Sequence, residues 1–218
     1  MLSSLYPSVN WDSVRVVGCD MDGTLYDEAD FIAQVYSPIA EILSNAACVD
    51  FNRLYSWMFL RWLEKGSSYS KIFSEAVEGT GLGRNKADTA IARCLRVFRN
   101  YEPRLSLTPR VKAILDVLKG EYSLFLISDG SAELQKRKFE SLGLGHWFPW
   151  PDVGISGLYG DEFCKPNTGI LRKIEVIETV CSPHQVLFFG DRAVDAKFAS
   201  NAGFQFAHVS CMRSIVEG

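Results

Sequence analysis

The sequence predicts an α/β protein that is built on a doubly wound parallel sheet and interrupted by an all-helical insertion. Apolar runs of strand length alternate with amphipathic helical patterns over most of the chain, which favours a parallel sheet covered by helices. The interval from residue 27 to 107 differs, because it carries helical periodicity and no convincing strand. We therefore expect a sheet-containing core formed by residues 1–26 and 108–218, with residues 27–107 as a separate helical domain.

The strands of the core are predicted from four apolar runs, at residues 14–19, 124–127, 186–190 and 204–209. The first three end in polar side chains, which are Asp20, Ser128 with Asp129, and Asp191. Parallel sheets of this class bind ligands beyond the carboxyl ends of their strands. These residues, although far apart in sequence, are therefore expected to share one site.

Helices are predicted between the strands and throughout the insertion. In the core, Thr108 and Pro109 begin one helix, a second ends at Gly143, and a third opens at Thr168 and continues to Ile177. The insertion shows three amphipathic patterns, over residues 51–63, 69–77 and 87–98.

Composition narrows the classes of function. The chain of 218 residues is 47% hydrophobic and 22% charged, as expected for a packed globular protein. Its formal net charge of -3 gives no global reason to bind nucleic acid or an anionic membrane. Chemistry on a small molecule is favoured, with neither nucleic acid nor membrane as a partner.

A reduced, cytoplasmic location is expected from the cysteines and the amino-terminal residues. The six cysteines are widely spread and form no CxxC pair, which argues against both a disulfide framework and a structural zinc site. The first ten residues lack the basic start and apolar run of a signal peptide, and no later run reaches the length that spans a membrane.

The segment Asp20-Met21-Asp22-Gly23-Thr24 places two carboxylates beside a glycine directly after a predicted buried strand. An acidic turn would explain the segment without any chemistry. A calcium-binding loop is a second alternative, but its sixth position should be glycine and is Leu25, and its twelfth should be glutamate and is Phe31.

Three further motifs follow in order: Ser128-Asp129-Gly130, Lys165-Pro166, and Asp191 with Asp195 four residues later. Together with the first segment, they resemble the four motifs of the haloacid dehalogenase-like (HAD) superfamily, over nearly the whole chain. The helical insertion resembles the type 1 cap of that superfamily, as in phosphoglycolate phosphatase-like members. The resemblance implies a Rossmann-like core with a cap domain and a hydrolase that forms an aspartyl phosphate.

A magnesium site also follows from the chemistry of phosphate esters. A carboxylate that attacks a phosphate dianion needs a cation between the two groups, and Asp20 with Asp191 offers oxygen ligands for Mg²⁺. The resemblance adds the main-chain carbonyl of Asp22 as a third protein ligand. Asp195 is expected to orient the site without binding the metal.

The resemblance also assigns the catalytic roles. Asp20 is the nucleophile, and Asp22 donates a proton to the leaving oxygen and later removes one from water. The hydroxyl of Ser128 and the amides of Asp129 and Gly130 hold the phosphoryl oxygens, and Lys165 neutralises them while restraining Asp20. An aspartate at the position of Asp22 favours a phosphatase or phosphomutase over a dehalogenase.

The expected function is hydrolysis of a small phosphorylated metabolite. A phosphomutase of the same superfamily and a catalytically weak binding or regulatory member are the alternatives. On the predicted helix over residues 51–63, Trp57 and Arg61 point away from the apolar stripe and are candidates for substrate specificity. A subunit contact or a packing surface within the insertion would also explain Trp57.

Overall fold

The computed structural model describes residues 2–209, and the chain divides into two compact units. One unit contains the residues up to Glu28 and those from Arg104 onward, and the other contains Ala29–Pro103. The borders predicted at residues 27 and 107 fall beside these divisions. We refer to the two as the sheet unit and the helical unit.

The sheet unit is built on five parallel strands. They are β1 (Val16–Cys19), β2 (Ser123–Ser128), β3 (Val153–Ile155), β4 (Val186–Gly190) and β5 (Gln205–His208), in the order β3-β2-β1-β4-β5. Connections from the central strand run to both sides of the sheet, so the predicted doubly wound α/β fold is confirmed. The four predicted strands form, and β3 is an addition to them.

Strand β1 is central, and its register fixes where the site residues emerge. Val16 aligns with Ser123 of β2 and with Val186 of β4, which lie far along the chain. All four residues of β1 are buried. Because the three strands run in parallel, the segments that follow them leave the sheet at the same edge.

Eight α-helices accompany the strands in the described part of the chain. They are α1 (Leu2–Leu5), α2 (Glu28–Ala47), α3 (Phe51–Lys65), α4 (Ile72–Gly79), α5 (Arg84–Arg99), α6 (Pro109–Glu121), α7 (Ala132–Ser141) and α8 (Ala193–Ala202). Helix α6 begins where the sequence predicts, because the Thr108 side chain accepts the Val111 amide and Pro109 takes the first helical position. None of the helices between residues 2 and 209 has both the length and the hydropathy needed to cross a membrane.

The helix predicted to open at Thr168 differs from expectation. Two short 3-10 helices, Gly169–Lys173 and Glu175–Thr179, replace it, and Ile174 between them is extended, with φ -114° and ψ 110°. The Val176 amide donates to Asp152 Oδ1 at 2.7 Å instead of continuing a helical ladder. Tertiary contacts therefore override the helical spacing of the apolar residues.

In the helical unit, helix α3 begins at a capped end and buries a narrow apolar stripe. Asp50 accepts the Arg53 amide at 2.7 Å, and the buried side chains are Leu54, Met58 and Trp62. The remaining large side chains of α3 are partly or fully exposed, among them Trp57 at 39% and Leu60 at 64%. The face that does not contribute to the core is thus unusually apolar.

Candidate active site

Asp20 lies at the carboxyl end of the central strand and is buried, with 1% of its surface exposed. Its amide donates to the Phe189 carbonyl of β4 at 2.9 Å. Its carboxylate accepts a hydrogen bond from Lys165 Nζ, which also donates to Asp195 Oδ1 at 2.6 Å. The lysine side chain is fully buried, so one ammonium group joins two carboxylates away from water.

The charges of this trio influence one another strongly. Burial raises the pKa of Asp20 and the charge of Asp195 adds to the shift, while the Lys165 ammonium opposes both. Burial also works against the charged form of Lys165, but the two carboxylates outweigh it and raise the pKa of the lysine. Lys165 is therefore a permanent cation in the site.

The loop that carries Lys165 and the helix that carries Asp195 are held in place by further hydrogen bonds. The amide of Lys165 donates to both oxygens of the Asp129 carboxylate, at 3.3 and 3.2 Å. Asp195, in the first turn of α8, accepts the Arg192 amide at 3.0 Å with its second oxygen. Both oxygens of Asp195 thus have donors, which suits the orienting role predicted for it.

A group of three carboxylates could hold a cation. One oxygen each from Asp20, Asp191 and Asp195 lie within 4.8 Å of one another, and hard oxygen ligands are those that Mg²⁺ prefers. Both oxygens of Asp195 have donors, from Lys165 and Arg192, and Asp20 with Asp191 stays the ligand pair predicted from the sequence. The Asp22 main-chain carbonyl stays a prediction from the resemblance.

Thr24 and Gly23 fit the same carboxylate pair. The Thr24 hydroxyl lies 3.4 Å from Asp20 Oδ2 and 3.3 Å from Asp191 Oδ1. Gly23 has φ +79°, and a Cβ atom there would lie 2.4 Å from Asp191 Oδ2. Only glycine therefore allows Asp191 to approach the loop this closely.

The predicted phosphate-binding residues Ser128 and Gly130 differ in whether they already have a hydrogen-bond partner. Ser128 ends β2, and its buried Oγ atom has no hydrogen-bond partner among residues 2–209. An unpartnered buried hydroxyl costs about 1–3 kcal/mol of free energy. A hydrogen bond to a ligand oxygen at this position would recover that free energy. The Gly130 amide, in contrast, donates to Ser156 Oγ at 3.3 Å. It would have to leave that contact to bind a phosphoryl oxygen.

Asp22, two residues beyond Asp20, accepts three hydrogen bonds. Lys138 Nζ lies 2.6 Å from Oδ1, the Tyr26 hydroxyl donates to the same oxygen, and Gln135 Nε2 donates to Oδ2 at 3.1 Å. Burial opposes the ionised form of Asp22, but Lys138 and the other donors hold the pKa of its carboxyl below the usual range. Asp22 is thus an ionised group in a closed polar environment.

Sequence reasoning missed Tyr26, Gln135 and Lys138. Lys138 is preceded by Lys136 and Arg137, so its charge alone did not distinguish it. Its position did carry a signal, because it lies four residues from both Leu134 and Leu142 on the apolar face of α7. A lysine on a buried helical face needs a buried partner.

Trp57 and Arg61 occupy one face of α3 in the helical unit. They line a cavity of about 410 Å³ together with Leu60, Glu64 and Glu75. The Arg61 guanidinium pairs with Glu75, through Nε at 2.7 Å and Nη2 at 3.0 Å, and with Glu64 at 2.7 Å. Its charge is therefore already balanced by two carboxylates, which was not expected, whereas Trp57 is exposed.

Comparison with known proteins agrees with the fold. A family model for haloacid dehalogenase-like hydrolases matches residues 14–203. No match is found among curated protein sequences. A HAD-superfamily hydrolase of subfamily IA from Geobacter sulfurreducens has a TM-score of 0.69 and 20% identity, over 90% of this chain and 87% of that chain.

Two further solved structures show the same likeness. The HAD-hydrolase YfnB of Bacillus subtilis, bound to magnesium, has a TM-score of 0.62 and 19% identity, over 90% of this chain and 86% of its own. A predicted phosphoglycolate phosphatase of Haemophilus somnus has a TM-score of 0.62 and 18% identity, over 93% of this chain and 92% of its own. The structural similarity to these proteins, at low sequence identity, shows a shared fold. The family model spans most of the sequence. The chain therefore belongs to the haloacid dehalogenase-like hydrolases.

Proposed function

We propose that the chain is a Mg²⁺-dependent phosphatase that hydrolyses a small phosphorylated metabolite through an aspartyl phosphate on Asp20. The observation that supports it most is the buried Asp20 carboxylate, held by the Lys165 ammonium at the end of the central strand. The unpartnered Ser128 hydroxyl at the end of the neighbouring strand adds a group suited to a phosphoryl oxygen.

In the first half of the reaction, an Asp20 oxygen attacks phosphorus and the bond between phosphorus and the ester oxygen breaks. Asp22, which is ionised in the free protein, takes up a proton as the anionic substrate binds and gives it to the departing oxygen, so that an alcohol leaves. Lys165 and Ser128 stabilise the negative charge on the phosphoryl oxygens. Asp20 and Asp191 would hold Mg²⁺, which when bound would supply positive charge against the repulsion between the two anionic reactants.

In the second half, water attacks phosphorus and the bond to the Asp20 oxygen breaks. Asp22, now ionised, takes the proton from that water, and inorganic phosphate leaves. The free Asp20 carboxylate then returns to Lys165. Asp22 then releases this proton to solvent, so the enzyme ends with Asp22 ionised, as it began.

The presence of Asp22 favours phosphate chemistry over dehalogenation, because a dehalogenase has no need of this second carboxylate. The magnesium in YfnB and the phosphatase description of the Haemophilus somnus protein support the same assignment. We further propose that the helical unit is a cap that helps select the substrate. The cytoplasmic location and the absence of nucleic-acid or membrane partners stay predictions from composition.

Phosphate release from p-nitrophenyl phosphate and from a panel of phosphorylated metabolites tests the proposal. We expect release that needs Mg²⁺, stops with EDTA and returns when Mg²⁺ is added in excess. Full activity in metal-free buffer would contradict the metal assignment. Transfer of phosphate between positions of one substrate, with release only as a side reaction, would favour the phosphomutase alternative.

The specificity role of Trp57 has its own test. Trp57→Ala should lower kcat/KM for the best metabolite and barely change it for p-nitrophenyl phosphate, because only the larger substrate would reach the tryptophan. Leu63→Ala is the matched control, since Leu63 is 49% exposed on the same helix and does not line the cavity. Equal effects of Trp57→Ala on both substrates, or a changed oligomeric mass with unchanged kinetics, would favour a structural role.

A further inference from the structure

Helix α7 brings a lysine to the second carboxylate of the first motif. Lys138 is 2% exposed, and its Nζ atom lies 2.6 Å from Asp22 Oδ1. Lys136, one half-turn earlier, pairs with the surface residue Glu133 at 3.8 Å, and its side chain is 37% exposed. Two lysines on one helix thus have opposite surroundings, and only one of them contacts the site.

A buried ion pair is a costly way to stabilise a fold. The desolvation of two charges often offsets their attraction, so an apolar pair of similar size would serve stability as well. The Lys138–Asp22 pair also belongs to a larger hydrogen-bond network than packing requires. Gln135 Nε2 donates to Asp22 Oδ2 at 3.1 Å and to the Asp129 carbonyl at 2.9 Å. The contact links α7 to the loop after β2 and to the loop after β1.

The hydrogen bonds that the Gln135 side-chain amide donates fix its orientation. Its Oε1 atom is buried and has no hydrogen-bond partner in the described chain, while its Nε2 atom reaches both Asp22 and Asp129. A buried acceptor left unpartnered carries a free-energy cost. The two hydrogen bonds of Nε2 offset that cost, and they fix the loops after β1 and β2 in relation to each other.

The donors use nearly all of the acceptor capacity of Asp22. A carboxylate offers about four lone-pair sites, two on each oxygen. Oδ1 accepts from Lys138 and Tyr26, and Oδ2 accepts from Gln135. One site, on Oδ2, is therefore left for an atom from outside the protein.

We propose that Lys138 is a positioning residue for Asp22, whose carboxylate it holds together with Tyr26 and Gln135 so that the one open acceptor site, on Oδ2, is kept for the reacting groups. This inference rests on the phosphatase function proposed above. Lys138 acts through Asp22 and does not touch the substrate. It gives α7 a role in the reaction that the four motifs do not assign.

The test is a series of phosphate monoesters whose leaving groups range from nitrophenol to simple alcohols. Lys138→Met should lower kcat by about tenfold to a hundredfold for alkyl phosphates and by only a few fold for p-nitrophenyl phosphate, because good leaving groups need little proton donation. KM should change little. Lys136→Met, on the exposed side of the same helix, should leave every substrate unaffected.

Two further variants make the outcome decisive. Tyr26→Phe removes one donor and conserves shape, so it should show the same leaving-group trend more weakly, and it carries the test if Lys138→Met does not fold. In the background of Asp22→Asn, Lys138→Met should add little, because the group that it positions is gone. A uniform loss over all leaving groups, or additive effects in the double variant, would overturn the inference. Absence of phosphate release from the wild-type protein would instead overturn the proposed function.

Discussion

Each unit of the molecule contains a cluster in which one cation joins two carboxylates, and these two clusters differ in how their charges behave. In the sheet unit, Lys165 contacts Asp20 and Asp195 with all three side chains buried. In the helical unit, Arg61 contacts Glu64 and Glu75, whose side chains are 57% and 25% exposed. The pairing of charges is the same, and access to water differs.

The pKa values of the carboxylates reveal the consequence. Hydrogen bonds from Arg61 and Tyr69 lower the pKa of Glu75 to about 2. Burial raises the pKa of Asp20 even though an ammonium group touches it. A nearby cation therefore does not by itself decide whether the pKa of a carboxyl group rises or falls, because burial acts against the effect of the cation. In the exposed cluster the cation favours the ionised form of Glu75, whereas in the buried cluster the loss of water makes Asp20 a stronger base than a free carboxylate.

Asp20→Asn should have the largest effect, since an amide is a poor nucleophile and a poor magnesium ligand. We expect kcat to fall by at least about a thousandfold, with the fold retained because Asp195 still pairs with Lys165. Phosphate release gives the rate, and far-UV circular dichroism gives the folding control. If the variant kept more than about a tenth of the wild-type kcat, Asp20 would not be the nucleophile.

Lys165→Met breaks the buried cluster and should destabilise the protein by about 3–5 kcal/mol at pH 8, because two carboxylates lose their counter-ion. Without the ammonium the pKa of Asp20 rises further in the folded state. An acid with a higher pKa in the folded state binds more protons there, so stability falls as pH rises through that range.

The penalty of Lys165→Met should therefore be smaller at pH 5 than at pH 8, as measured by urea unfolding in the presence of EDTA. EDTA is needed because a bound divalent cation would replace part of the lost charge. A penalty that is equal at the two pH values would show that packing of the lysine stem, and not its charge, stabilises the site.

Glycine substitutions compare the backbones of the two units. Gly23→Ala should cost about 1–2 kcal/mol from its positive φ alone and should displace Asp191, which raises the Mg²⁺ concentration needed for activity by about tenfold or more. Gly79→Ala, at the end of α4 where a Cβ meets nothing, should stabilise by about 0.5–1 kcal/mol. Thermal melts and Mg²⁺ titrations measure both, and equal effects of the two variants would contradict the comparison.

Arg61→Gln breaks the exposed cluster and should have the smallest effect. We expect a slight fall in melting temperature at low salt that disappears in 1 M NaCl, where charges are screened over about 3 Å. The Lys165→Met penalty should persist in the same salt, since ions do not reach a buried pair. A salt-independent effect of Arg61→Gln would mean that its contacts with Tyr69 and the cavity lining stabilise more than its charge does.

The central elements of the sheet were predictable because their signals are local. A buried strand shows as a continuous apolar run, and a glycine or acid at its end marks the exit from the sheet, as at Asp20 and Asp191. Strand β3 has only three residues, Val153–Ile155, and falls below the length at which a run stands out. Its place at the sheet edge depends on β2, which the local sequence does not show.

The site was predictable as a set of residues and less so as a set of contacts. The motifs identified Asp20, Lys165 and Asp191, but they did not show that Gly130 would bond to Ser156 or that Asp22 would bind Lys138. Those contacts join residues that are remote in sequence. Hydrophobic periodicity reports which face of a helix is buried, but it does not identify the partner across the interface.

The register of β1 also has a consequence for how the chain folds. Val16 pairs with Ser123 and Val186, so the central strand precedes both of its neighbours by the length of a whole domain. At a synthesis rate of about 5–20 residues per second, β1 leaves the ribosome roughly 5–20 seconds before its first partner exists. The sheet joins segments that are remote in sequence and is expected to form late and slowly, whereas the helical unit is one continuous segment, Ala29–Pro103, that can form during translation. The apolar central strand thus waits for both of its sheet partners while the helical unit is still being synthesised.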